Sequence, residues 1–343
     1  MKAIKSKLLL LALLSVFSLQ PSTLFAQGTL TPPGAPAPTM KSLDQIEPRT
    51  PIASVPFTIT NPGSYYLTTN LTTDTSGILS GILIEASDVT LDLNGFALMT
   101  TNDSGIGIAF VSSITNITVR NGSIDGWSAG VRPFEPFAPV SNLVLERLNV
   151  SDCTQGGISF SCPVTARNCA CYGNGGVGIA VAGGQVINCD AGGNGGDGID
   201  ATNCAVRDCS AANNGGRGIV ISSGVVSGCL VQSNALSGIY VSGPGSRVVN
   251  NTCSENNTTV SLNEAGITVS ASFNLLEGNQ INANDIVLSG TNNIVVKNFV
   301  FTVESRNPGY DYQVLTANNV LGPVVLEQFG TITNSNPWAN FAY

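Results

Sequence analysis

A glycine followed by isoleucine or valine recurs along the middle of the chain. The step occurs eight times, at intervals of 20 to 28 residues, with its glycines at Gly107, Gly130, Gly157, Gly178, Gly198, Gly218, Gly238 and Gly266. A second apolar column runs through Val186, Val206, Val226 and Val248. The short apolar segments between glycine-rich turns predict strands, and a regular period of this length is typical of a solenoid.

The columns predict a β-helix, in which equivalent residues of successive coils lie on top of each other. Neighbouring strands are about 4.8 Å apart, so each apolar column becomes a ladder and the ladders form one core. A leucine-rich repeat is excluded, because the chain has no Leu-x-x-Leu-x-Leu frame and its repeats have no helical apolar period. About ten coils fit between residues 81 and 300.

Two further columns contain polar or reactive side chains. One consists of Asn174, Asn194, Asn214 and Asn234, and the other of Cys169, Cys189, Cys209 and Cys229. Asparagine tolerates left-handed turns and stacked amides bond to each other, so the first column predicts a structural ladder. A row of cysteines does not converge on one point as a zinc site requires, so we expect no metal and buried free thiols. One or two disulfides are the alternative, because stacked neighbours are close enough to be bridged.

The two ends of the chain differ from the repeats. Three lysines, an apolar run from Leu8 to Phe17 and a small residue at Ala26 are typical of a secretory signal peptide, which we place at residues 1–26. A proline-rich linker is expected at 27–41, and an N-terminal cap at 42–80 with one short helix and a hairpin of residues 57–60 with 65–68. The β-helix follows at 81–300. An irregular, ring-rich C-terminal cap is expected at 301–343, and no transmembrane segment is predicted, because the apolar run is too short.

The composition of the chain restricts the classes of partner that such a protein can bind. The net charge is −8, and three of the 14 basic residues lie in the predicted signal peptide. An acidic chain repels phosphate backbones, so nucleic acid is not an expected partner. Histidine is absent, which excludes His-ligated metals and Ser-His-Asp triads. We expect a secreted monomer without a cofactor, in the extracellular space, the periplasm or at the cell surface.

Two segments carry a family resemblance. Residues 87–96 read Ser-Asp-Val-Thr-Leu-Asp-Leu-Asn-Gly-Phe and residues 116–124 read Asn-Ile-Thr-Val-Arg-Asn-Gly-Ser-Ile. They resemble the opening coils of the pectate-lyase-like superfamily. The stretches 40–49 and 322–341 are similar to those of secreted bacterial parallel β-helix repeat proteins. The resemblance implies an all-β fold, a right-handed parallel β-helix with caps, and its motifs specify coils rather than chemistry.

Most known activities of that superfamily are polysaccharide lyases and glycoside hydrolases, so the resemblance implies catalysis on an acidic polysaccharide as one hypothesis. The densest charged group in the repeats supplies the catalytic candidates Asp190, Arg207 and Asp208. A lyase-like site would also bind Ca²⁺ through several convergent oxygen ligands. Asp197 and Arg217 occupy the same position on adjacent coils, which predicts a solvated ion pair worth less than about 1 kcal/mol.

Two insertions indicate where a ligand would bind. Extra residues follow the strand at Gly130, within 132–138, and precede the strand at Gly266, within 254–264. Both border one strand column, whose outward positions should form a floor of Ser159, Ala180, Asp200, Val220, Tyr240 and Thr268. Sugar rings are expected to stack on Trp127, Phe134, Phe137 and Tyr240. Alternatively, Phe134 and Phe137 fold back and cover the coil. Three functions stay open: non-catalytic binding of polysaccharide or cell-surface glycans, an enzyme, or a rigid spacer.

Overall fold

The computed structural model describes residues 48–74, 77, 79–111, 113–135, 139–301, 311–326 and 335–342. The predicted signal peptide, the linker, the short helix and Phe137 lie outside the described residues. Within the described ranges the secondary structure consists of strands, turns and bends.

The strands are short, and most have three to five residues. The first seventeen are β1 Thr50–Ile52, β2 Phe57–Ile59, β3 Gly63–Leu67, β4 Leu71–Thr73, β5 Ser80–Ile84, β6 Val89–Asp92, β7 Ala97–Thr100, β8 Ile106–Phe110, β9 Ile114–Asp125, β10 Ala129–Pro133, β11 Val140–Ser151, β12 Ile158–Phe160, β13 Val164–Arg167, β14 Ala170–Tyr172, β15 Ile179–Ile187, β16 Asp190–Gly192 and β17 Ile199–Arg207. The following strands are β18 Ser210–Ala212, β19 Ile219–Ser222, β20 Val225–Ser227, β21 Leu230–Gln232, β22 Ile239–Val241, β23 Arg247–Val249, β24 Thr252–Ser254, β25 Ile267–Val269, β26 Leu275–Glu277, β27 Gln280–Asn282, β28 Ile286–Leu288, β29 Ile294–Val296, β30 Phe299–Phe301, β31 Tyr312–Val314, β32 Val320–Leu321, β33 Val324–Leu326 and β34 Asn340–Ala342.

Apart from β33, which pairs with β34, these strands form three parallel ladders, and each strand inside a ladder pairs with its equivalents one coil before and one coil after. The first ladder runs β2, β5, β8, β10, β12, β15, β17, β19, β22, β25, β28, β31. The second runs β1, β3, β6, β9, β11, β13, β15, β17, β20, β23, β26, β29, β32. The third runs β4, β7, β9, β11, β14, β16, β18, β21, β24, β27, β30, β34. The result is a parallel β-solenoid of about eleven turns.

The apolar columns predicted from the sequence form the core. The register aligns Ile158 with Ile179 and continues through Ile199, Ile219 and Ile239, all of them fully buried. The valine column lies in the second ladder in the same way. Burying one such side chain contributes about 1.5–3 kcal/mol, so repetition along the axis stabilises every coil through its two neighbours.

The solenoid extends beyond both boundaries expected from the sequence. The predicted hairpin is wrong: β2 pairs in parallel with β5, and β3 pairs in parallel with β1 and β6. The turn at Asn61 therefore carries the chain from the first ladder to the second instead of reversing it. At the other end, β31, β32 and β34 continue the three ladders, so the described part of 301–343 is not irregular.

The asparagine column is a hydrogen-bonded ladder inside the coils. The Nδ2 group of Asn194 donates to Asn214 Oδ1 at 3.0 Å, and that of Asn214 donates to Asn234 Oδ1 at 2.9 Å. Each amide also donates to a backbone carbonyl of the preceding coil, as Asn214 does to Ala191 at 3.1 Å. All these side chains are buried, so the ladder satisfies polar groups that water does not reach.

The cysteine column lies in a different corner of the coil and continues as a second asparagine ladder. Cys229 donates its backbone N–H to Asn251 Oδ1 at 3.0 Å, and Asn251, Asn279, Asn298 and Asn340 follow.

All nine cysteines of the chain are free thiols, and eight of them are buried. Burial raises the pKa of Cys204 to about 11, which keeps that thiol protonated at neutral pH.

Candidate binding groove

The outward positions of the first ladder form one column across the coils. The register pairs Ser159 with Ala180, and the column continues through Asp200, Val220, Tyr240 and Thr268. The floor predicted from the sequence therefore exists as a row of neighbouring side chains. Alternation along each strand produces it, because the residue after a buried isoleucine points away from the core.

Two cavities lie beside this column. The first has a volume of about 340 Å³ and is lined by Ala129, Arg132, Thr154, Gln155, Gly156, Ser159, Gly175, Gly176, Val177 and Ala180. The second has a volume of about 400 Å³ and is lined by Gly77, Leu79, Ser104, Gly105, Ile106, Ser128, Arg132 and Phe134. Because Arg132 lines both cavities, we treat them as one groove that crosses successive coils along the first ladder.

Arg132 is the cation of this groove. Its side chain is half-buried, and within the described part of the chain its buried Nε atom has no hydrogen-bond partner. Its Nη1 atom lies 3.5 Å from Gln155 Oε1, which is a long and weak hydrogen bond. A guanidinium with spare donors suits a carboxylate or sulfate. Sequence reasoning did not single out Arg132, although Arg132 follows the Gly130-Val131 step at the same outward position as Ser159.

The aromatic candidates differ in burial and in the groups that they contact. Trp127 is fully buried beneath the first ladder, where its Nε1 group donates to Leu98 O at 3.0 Å. The prediction that Trp127 stacks on a ligand is therefore wrong, since its ring fills a corner of the early coils. Phe134 is 37% exposed and lines the second cavity. Tyr240 lies in the column, but the Arg217 guanidinium carbon is 3.6 Å from the centre of its ring and covers one face.

Asp200 lies in the floor one coil beyond Ala180. Burial raises the pKa of the Asp200 carboxyl and the charge of Asp197 raises it further, while Arg217 opposes both. The solvated pair expected between the side chains of Asp197 and Arg217 is not the interaction observed. Asp197 Oδ1 instead accepts the backbone N–H of Arg217 at 2.6 Å, and the Arg217 guanidinium binds Glu264.

The second insertion closes the groove at its C-terminal end. Residues 255–264, which we call the strap, bond to residues 234–237 of the preceding coil, and the last residues of the strap lie beside the first ladder. The strap covers Thr268, which is 2% exposed and donates its hydroxyl to Asn263 O at 3.3 Å. Val220 is also buried. The open part of the predicted floor therefore ends near Asp200.

The three catalytic candidates lie around one corner of two adjacent coils. Asp190 begins β16 in the third ladder, whereas Arg207 ends β17 in the second ladder and Asp208 occupies the turn that follows. All three are exposed, and the described residues contain no ion pair among them. Catalysis at this cluster stays a prediction, since Asp190 lies one coil away from Ser210, which follows Asp208 by two residues.

Neither a metal-binding cluster nor a membrane-spanning helix occurs among the described residues. No group of three or more histidine, cysteine, aspartate or glutamate side chains there has an arrangement that would hold a metal ion. In the same ranges, no helix has the length and apolar character that crossing a membrane requires.

The handedness of the coil follows from a comparison with known families. Residues 104–253 match the family model described as a right handed beta helix region, and this segment lies within the three ladders. The fold is a right-handed parallel β-helix. The fold class predicted from the sequence is thereby confirmed.

Several solved structures are similar to the β-helix at low identity. The A-module of mannuronan C-5 epimerase AlgE6 from Azotobacter vinelandii is 14% identical, with 76% of this chain and 89% of that chain covered and a TM-score of 0.49. The AlgE4 A-module of the same organism is 12% identical, with 76% and 91% covered and a TM-score of 0.46. The tailspike protein of E. coli bacteriophage HK620 is 10% identical, with 75% and 73% covered and a TM-score of 0.37. None of the curated proteins matches the chain significantly. These similarities assign no substrate or activity to the β-helix.

Proposed function

We propose that this protein is an exported, non-catalytic glycan-binding protein and that the groove around Arg132 binds an anionic group of the glycan. The observation that carries the proposal is Arg132 itself, a half-buried guanidinium that lines both cavities of the groove and whose buried Nε has no hydrogen-bond partner among the described residues. Export is supported by the signal-peptide pattern of residues 1–26.

The groove is suited to an extended ligand. Its floor has small polar or short side chains at Ser159 and Ala180, and its walls are glycine-rich turns that repeat from coil to coil. The repeat of about 4.8 Å presents similar backbone groups at each coil, which a polymer could contact in series. The exposed ring of Phe134 offers one stacking surface at the end opposite the strap.

Binding measurements test the proposal. A glycan array followed by calorimetry on the best acidic oligosaccharide should give an affinity that Arg132→Gln lowers about 10-fold to 100-fold, the loss of one or two hydrogen bonds to a charged group. Phe134→Ala should weaken binding less. Arg207→Gln is the matched control, since it removes an exposed arginine from another ladder. Equal affinities for Arg132→Gln and the wild type would contradict the proposal.

A polysaccharide lyase or glycoside hydrolase is the second candidate, and Asp200 favours it. A carboxyl whose pKa is raised by burial, in the floor of a groove, has the property required of a general acid. The test is release of unsaturated products or reducing ends from acidic polysaccharides, with and without Ca²⁺. Activity that Asp200→Asn abolishes would replace the non-catalytic proposal.

A further inference from the structure

The last residues of the strap, 260–264, are held on the β-helix mainly by one carboxylate, whereas Asn257, Thr258 and Thr259 bond to backbone carbonyls of the preceding coil. Arg217 Nη2 donates to Glu264 Oε1 at 2.7 Å, and Arg217 Nε lies 3.4 Å from Oε2. The backbone N–H of Ser237 donates to Oε2 at 3.0 Å, and the Ser237 hydroxyl donates to the same oxygen. A bidentate guanidinium, an N–H and a hydroxyl thus surround a single carboxylate, which is the arrangement of a carboxylate-binding site.

The site is built by the β-helix and not by the strap. Arg217 and Ser237 lie on successive coils at the position before the repeated glycine, and Arg217 is stacked on Tyr240 of the floor. Arg217 is held in place independently of Glu264. Its guanidinium stacks on Tyr240, and its backbone N–H donates to Asp197 Oδ1. The strap supplies the carboxylate, and one of its hydrogen bonds to the floor is accepted by Asn263 O.

We propose that the last part of the strap, residues 260–264, is a displaceable lid and that Glu264 occupies the place of a carboxylate of the ligand. When the lid opens, a second anion-binding subsite becomes accessible, and it continues the groove beyond Asp200. It is formed by Arg217, Ser237 and Tyr240. The open groove and the covered part of the floor belong to the same column of side chains. A sufficiently long ligand that is bound at Arg132 would therefore reach this subsite. The inference rests on the proposed function in that the lid regulates access to the same groove.

Protonation should open the lid. Burial raises the pKa of Glu264, but the hydrogen bonds from Arg217 and Ser237 and the charge of Arg217 outweigh it, so the pKa is lowered. A lowered pKa means that the closed lid is fully stabilised above the ordinary glutamate value and loses this stabilisation as the pH falls below it. Other titratable groups near this site are Asp197, Asp200 and Tyr240, and the charge of Arg217 interacts with all three of them.

Two variants test the lid in the full-length protein. Glu264→Gln removes the charge and Glu264→Ala removes the whole contact, while Glu255→Gln removes an exposed carboxylate from the same strap and serves as the control. Cleavage at Leu262, which is 92% exposed on the strap, reports opening, because a protease must first unfold the backbone around the cleavage site. Amide exchange at Ala265, whose N–H donates to Ser237 Oγ at 3.1 Å, reports it independently.

We expect both Glu264 variants to be cut and exchanged about tenfold faster than the wild type at neutral pH, and the wild type to approach them in acid. They should also bind a tetramer of galacturonic acid about tenfold more tightly than the wild type or Glu255→Gln, without a gain for its methyl ester. Equal cleavage, exchange and affinity in all four proteins would overturn the lid. The proposed function is decided separately, by the effect of Arg132→Gln on binding to the wild type.

Discussion

At the scale of single residues, the buried amides of the asparagine ladder decide how coils stack. Asn214 donates to Ala191 and Asn234 and accepts from the backbone and side chain of Asn194, at 2.9 to 3.1 Å. We predict that Asn214→Ala lowers the free energy of unfolding by about 2–4 kcal/mol, because it leaves several buried polar groups without partners. Urea unfolding measures the loss, and Gln232→Ala, an exposed change on the next coil, should alter stability by less than about 0.5 kcal/mol. A similar small effect at Asn214 would contradict a structural ladder.

Residues could be placed from the sequence only where the period is constant. The ladder from Asn174 to Asn234 has a spacing of twenty, so both its position and its structural role were predictable. The second ladder from Asn251 to Asn340 was missed, because insertions make its spacing irregular. Arg132 was missed for a different reason. Arg132 occupies the outward position of its strand as Ser159 does on the next coil, but that its Nε lacks a partner among the described residues is visible only in three dimensions.

At the scale of an element, the repeated glycine is required by the asparagine ladder. A Cβ atom on Gly198 would lie 2.6 Å from Asn214 Nδ2 and 2.7 Å from Gly218 O, both inside contact distance. We predict that Gly198→Ala destabilises the protein by about 1–3 kcal/mol or more, since the packed core cannot move away. Thermal unfolding should show a clear decrease for Gly198→Ala and almost none for Thr202→Ala, which changes an outward side chain of β17. Equal melting temperatures would mean that the coils can separate to admit the methyl group.

Secondary-structure elements could be predicted from the sequence where a sequence pattern has only one structural solution. The Gly-Ile step has such a solution, and its strands, register and outward floor follow from the sequence. The segment Asn61-Pro62-Gly63 has two, because a turn of this composition can close a hairpin or form a corner of a coil. Tertiary pairing with β5 and β6 selects the corner. The strap was recognised as an insertion, but its fastening by Glu264 depends on a contact across 47 residues.

At the scale of the molecule, the last described coil protects the core of the coil before it. Tyr312 stacks below Ile286 in the first ladder and donates its hydroxyl to Asn298 O at 3.0 Å. Phe341 lies against Phe299 with ring centres 4.8 Å apart. Ile286, Leu288 and Val295 are consequently buried although they lie near the C-terminal end of the ladders.

Removal of residues 302–343 should therefore expose three strand edges and the apolar side chains beneath them. We predict that the truncated protein associates or aggregates, because unpaired parallel edges with an apolar surface recruit further strands. Sedimentation velocity at several concentrations measures this, with Trp338→Ala in the full-length chain as a control that changes an exposed ring and keeps the coil. A truncated protein that sediments as a monomer and melts at the full-length temperature would show that β28, β29 and β30 can end the solenoid unaided. In that case the last coil would serve a purpose other than protection of the core.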